Sequence, residues 1–203
     1  MRADLEDLLE FWFGGPPTDQ DGVSGHMSRW FSAESEFDAE LSRRFGTAIL
    51  AAAGGQLDEF GESAHGRLAL ILLLDQCPRN THRGDPAAFA QDALALSWTL
   101  DGLSRGMDLE LEPLERMFFY MPMQHSESLD SQERSVRVFT ELAHSDAPDF
   151  MKKYLLDAAE SARVHRNIVA RFGRFPHRNS VLGRASTADE HAYLEEGAPT
   201  FGQ

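Results

Sequence analysis

The chain has 203 residues, 42% of them hydrophobic, with a net charge of −14 and one cysteine, Cys77. That length fits a single all-helical domain over 1–203, and the apolar fraction suffices for a substantial core. The acidic field repels nucleic acid and anionic lipid, and a lone cysteine excludes a disulfide framework within the chain, so a reducing, cytoplasmic setting is expected. Residues 1–7 are too acidic for a signal peptide. The longest aliphatic run, 68–74, is far short of the roughly 20 residues a membrane span needs.

Helical signals follow one another along the chain. Leu5, Leu8, Leu9, Trp12 and Phe13 share one helical face, stopped by Gly14-Gly15-Pro16-Pro17. Residues 19–25 are polar and contain glycine, which predicts a loop. Phe37, Leu41, Phe45, Ala48 and Ile49 carry a second stripe up to Gly54-Gly55. A third helix, about 66–76, is apolar all round and should be central; Pro78 disfavours helical geometry at Cys77 and should end it. Asp85-Pro86 reads as an N-cap with an N1 proline, opening a helix to about 106. Glu112-Pro113 starts a short helix over 114–120, closed by Pro122. Ser126 or Ser128 caps a helix carrying Val136, Val138, Phe139 and Leu142. Asp146 or Pro148 opens the longest one, ending at Gly173, and a capping box at 186–190 opens a last helix over 191–196. Alternating β-branched residues are absent. The prediction is an all-α domain of about seven to nine helices with short connections and no fixed repeat period.

Three polar corners stand out from this packing pattern. Pro78-Arg79-Asn80, followed by Arg83-Gly84, is echoed by Pro176-His177-Arg178-Asn179, followed by Gly183-Arg184. At the first corner Asp75 closes an apolar helix at the negative end of its dipole, where a buried carboxylate needs a partner. Arg79 and Arg83 are the nearest candidates. The pairing is either a structural clamp or a device that aims an arginine at a carboxylate or phosphate. At the second corner Phe172 and Phe175 should anchor the turn and project Arg174, His177, Arg178 and Asn179. From 162 to 186 there is no acid and there are six arginines. The third corner, 121–128, places His125 and Glu127 at what reads as a helix N-terminus, where backbone N–H groups bind anions.

Metal and cofactor signatures are weak. The Glu-x-x-His spacings Glu62/His65 and Glu141/His144 fall at helix ends rather than in a bundle interior. A single metal on His125, Glu127, His165 and His177 would need distant segments to converge. No phosphate-binding loop, dinucleotide fingerprint or Cys-x-x-Cys occurs, so no metal and no cofactor is expected. Cys77 reads as a packing residue.

The segments 68–80 (LALILLLDQCPRN), 119–127 (FYMPMQHSE) and 173–179 (GRFPHRN), with the opening LEFWFG and Trp30-Phe31, resemble the bacterial domain-of-unknown-function family 924 over nearly the whole chain. Cys77 stands where that family usually has Phe, Thr81-His82 where an aliphatic–aromatic pair is usual, and Gln124 where an apolar residue is usual. The resemblance implies a tetratricopeptide-like αα-superhelical fold and no particular activity. The residues themselves point to one polar pocket for a small anionic molecule. Asp75, Arg79, Asn80, Arg83, His165, Arg174, Arg178 and Asn179 would form its wall. His125, Glu127 and His177 would be available for proton transfer. The alternatives are a peptide-interaction module with purely structural Arg/Asn turns, and a metal-dependent hydrolase. Whether the three corners meet is the geometric question.

Overall fold

The computed structural model describes residues 2–31 and 35–201. The chain is all-α, with nine helices among the described residues when the unbroken rod from residue 64 to 81 is counted once. Helix α1 (Arg2–Phe13) buries Leu5, Leu8 and Trp12, as its stripe predicts. Helix α2 (Gln20–Phe31) occupies the stretch expected to be a loop. Asp19 reverses that expectation: its carboxylate accepts from the Gly22 amide at 2.9 Å and starts the helix, and buried Val23 and Trp30 hold it down. The Trp30 indole N–H donates to the Trp12 carbonyl at 2.8 Å, tying α2 to α1. Helix α3 (Ser35–Ala53) buries Phe37, Leu41, Phe45 and Ile49.

The central rod consists of α4 (Ala64–Ile71), a π-helical turn (Leu72–Gln76) and α5 (Cys77–Thr81). It runs straight through Pro78, against expectation. The π turn explains this. Its wider ring shifts the register by one residue, so Pro78 falls in the first turn of α5, where a missing N–H costs little. Every residue from Leu68 to Leu74 is buried.

After a 3₁₀ turn (Pro86–Phe89) capped by Asp85, the chain breaks and restarts as α6 (Asp92–Ser104), where one helix from 85 to 106 was expected. Helix α7 (Pro113–His125) also outruns its expected proline stop, passing Pro122. His125 is therefore the last residue of α7, not part of a helix N-terminus. Helices α8 (Leu129–Ala143) and α9 (Asp149–Phe172) complete an up-down-up trio with α7, since both connections are short and α8 packs against both neighbours. Gly173, at φ 71°, supplies the left-handed C-cap of α9. A 3₁₀ turn (Pro176–Arg178) and α10 (Ala188–Glu195) follow. No helix among the described residues is long and apolar enough to cross a membrane.

Candidate functional site

Asp75 lies in the π turn and is completely buried (0% exposed). Its carboxylate accepts from His125 Nδ1 at 2.7 Å and from Gln76 Nε2 at 2.6 Å, and pairs with Arg79 Nη1 at 3.1 Å. Burial alone would raise the Asp75 pKa, but the Arg79 charge and the His125 contact outweigh it and hold it well below the usual carboxylate range. Burial, then Arg79, push the His125 pKa below its ordinary value. Near neutral pH the pair is thus a carboxylate and a neutral imidazole whose proton sits on Nδ1, leaving Nε2 with a free lone pair.

Asp92, the first residue of α6, joins the two echoed phrases. Arg79 donates to it through both terminal nitrogens, at 2.8 and 2.9 Å, and Arg178 donates through Nη1 at 3.1 Å. The Phe89 ring lies under both guanidiniums, 5.6 Å from that of Arg79 and 4.6 Å from that of Arg178. The Phe175 ring also lies 4.6 Å from the Arg178 guanidinium. Arg178 Nε is buried with no hydrogen-bond partner among the described residues. Burial, and then Arg79, lower the Arg178 pKa to about 10.

Around the same Phe175 ring gather His165 and His177, each 5.6 Å from it. His165 donates from Nδ1 to the Ser161 carbonyl at 2.8 Å, and its ring centre is 6.3 Å from that of His125. Burial drives His165 down to about 3 and, with Arg178 adding to it, His177 down to about 4. Phe201 stacks on His165 at 3.8 Å.

These groups share a cavity of about 490 Å³. Of the residues singled out from sequence, Arg79, Asn80, Arg83, His125, His165, His177 and Arg178 line it. Asp75 stands directly behind His125. Asn80 and Arg83 are also engaged by Asp38 of α3, at 2.7 Å each. Arg174, Asn179 and Glu127 are placed elsewhere. Arg174 forks onto Glu190 at 2.6 and 2.7 Å. Asn179 bonds Ser186, Glu190 and Arg184. Glu127 takes a bidentate pair from Arg184 and the Phe175 amide at 2.8 Å. Burial would raise the Glu127 pKa, but those hydrogen bonds hold it low, so it is a structural anion for the second corner. Not anticipated from sequence are Asp92 and, among the lining residues, Trp30, Gln124, Tyr154 and Ser161. The cavity side of α9 could have been found by following its Tyr154–Ala158–Ser161–His165 stripe.

Glu127 faces Arg184, so the four-residue metal set weighed from sequence is not assembled. Among the described residues no group of three or more His, Cys, Asp or Glu is arranged to hold a metal ion. Glu62 pairs with Arg105 and His65 with Glu115, while His144 bonds the Thr140 carbonyl. Cys77 is buried, and burial pushes its thiol far up, away from any nucleophilic role.

Fold and site together define an all-α protein in which two helix-end corners are clamped by one aspartate beside a buried Asp–His pair. The chain belongs to the family described as bacterial protein of unknown function (DUF924), whose model matches residues 8–198. It is similar to the solved structure of the protein of unknown function ATU0120 from Agrobacterium tumefaciens. The two are 38% identical, with a TM-score of 0.80 over 97% of this chain and 99% of that one. No curated protein matches it.

Proposed function

We propose that the chain binds a small anionic molecule in this cavity and that His125 exchanges a proton with it, oriented by Asp75. The observation that carries the reading is the 2.7 Å contact from Asp75 to His125 Nδ1, with the imidazole lining the cavity. A buried carboxylate in that position fixes the tautomer and the ring plane, which is what a general base needs. Arg178, His165 and His177 form the rest of the polar wall, with Arg79, Asn80 and Arg83 beside them. Arg174 and Asn179 belong to the corner's scaffold, and their saturation favours, for that turn alone, the purely structural role of the interaction-module reading.

Imidazole nitrogen NMR tests this reading at two points. At pH 7 His125 should show an unprotonated Nε2 and a protonated Nδ1, and its resonances should move when a small carboxylate binds. A positively charged ring, or the opposite tautomer, would sink the proton-exchange role. His125 signals untouched by every carboxylate and phosphate tried would sink the site.

A further inference from the structure

Along α7 and α9 the cavity wall is graded from apolar to polar. Helices α7 and α9 run in the same direction, each antiparallel to α8, and two contacts fix their register. Gln124 Nε2 donates to Ser161 Oγ at 3.2 Å, and the rings of His125 and His165 are neighbours. Read along the cavity, α7 presents Met117, Met121, Gln124, then His125, and α9 presents Tyr154, Ala158, Ser161, then His165. Both helices pass from apolar to polar in the same sense, over about 12 Å on α7 and about 16 Å on α9 at 1.5 Å per residue. Phe139 of α8 adds to the apolar lining. Trp30 and Phe31, which pack on Phe118 beside Met117 of α7, close the apolar end.

Charge sets the head group and its orientation. Arg79 is forked onto Asp92 and bonded to the Asp75 carbonyl, and Arg83 is engaged by Asp38. Arg178 is the least committed: among the described residues only its Nη1 has a hydrogen bond, and its guanidinium packs against the Phe89 and Phe175 rings, which leaves its N–H edge for a ligand. Each lining arginine already has a carboxylate beside it, which leaves no charge surplus for a polyanion. A single carboxyl group suits the polar end. One oxygen can accept from Arg178, and the other can share its proton with His125 Nε2. Asp157, which also lines the cavity on the apolar stretch of α9, is exposed and paired with Lys153 at 2.7 Å, and a carboxylate there disfavours the reverse orientation.

We infer that the ligand is a linear amphipathic monocarboxylic acid, its carboxyl at His125 and Arg178 and its tail along Met121, Ala158 and Met117 toward Trp30. This rests on the proton-exchange reading of His125 and adds the tail. The test is calorimetric titration with straight-chain carboxylates from acetate to dodecanoate, alongside the His125 NMR signals. Affinity should rise roughly fourfold per added methylene until the slot is full, then level off. Ala158→Phe, which blocks the slot partway, should shift the optimum to shorter chains. On the unaltered protein, the alcohol matching the best acid should bind at least tenfold more weakly. Two results overturn the inference while leaving the proton-exchange site standing: His125 signals that respond equally to acetate and octanoate, or an alcohol as good as its acid. Chain-length dependence that survives Ala158→Phe unchanged also overturns it, as the tail would then lie elsewhere. If no carboxylate moves the His125 signals the inference fails, and the site it rests on fails with it when phosphate also leaves them unmoved.

Discussion

One carboxylate at the start of α6 holds both echoed phrases, since Asp92 accepts from Arg79 twice and from Arg178 once. Without it, two buried guanidiniums would face each other. Asp92→Asn should therefore cost about 3–5 kcal/mol in urea unfolding, the usual scale for an orphaned buried charge. Adding Arg178→Leu should recover part of that loss, so the two changes should be strongly non-additive in a double-mutant cycle. Asp75→Asn should act on chemistry as well as stability. It replaces an acceptor-only carboxylate with an amide that can accept from Nδ1 or donate to it, and imidazole NMR should then show mixed Nδ1-H and Nε2-H forms. His125→Gln is the control for loss of the ring itself. Asp75, Arg79 and Arg178 were legible in the sequence because a buried-looking acid at a helix end and an echoed phrase are both unusual spellings. Asp92 was not. An acid in a helix's first turn is commonplace, and its partners lie 13 and 86 residues away.

At the scale of elements, the helices were readable wherever an apolar stripe met an unambiguous stop, as in α1, α3 and α9. The errors fell at prolines and at a polar helix. Pro78 and Pro122 read as stops in the sequence, yet a register shift accommodates the first and α7 continues through the second. Residues 19–25 lack an apolar stripe because α2 buries little beyond Val23 and Trp30. The second corner shows how much structure one side chain can organise. Glu190 receives a forked pair from Arg174 and a bond from Asn179, and closes a reciprocal capping box with Thr187. These donors hold its pKa down to about 2, with the Arg174 bond the largest cause. Glu190→Gln keeps the shape but loses the charge. It should destabilise α10 and the preceding turn locally by about 1–3 kcal/mol. Hydrogen exchange should quicken over residues 174–195 and stay unchanged in α4 and α7.

For the whole molecule, the buried imidazoles set a direction for acid sensitivity. His165 and His177 have folded pKa values of about 3 and about 4, below the ordinary value near 6.5. The unfolded chain therefore binds protons first as the pH drops. The stability these groups contribute is complete above about 6.5 and is lost progressively down to their folded values. Asp75, also depressed, adds a second loss below the ordinary carboxylate pKa of about 3.9. Urea midpoints should be flat from pH 8 to 7 and fall between 6.5 and 4. His165→Phe, which keeps a ring against Phe175 and Phe201, should flatten part of that fall. A profile that stays level down to pH 4 would contradict the buried neutral imidazoles. The π turn has a wider consequence, because it sets the phase of everything after it. One residue fewer between Ile71 and Cys77 would turn all later side chains of the rod by about 100°. Arg79 would swing off Asp92, and Asn80 off Asp38. The corner therefore depends on the number of residues in 72–76 more than on which aliphatics occupy them. Among relatives, length in this segment should be held more strictly than spelling.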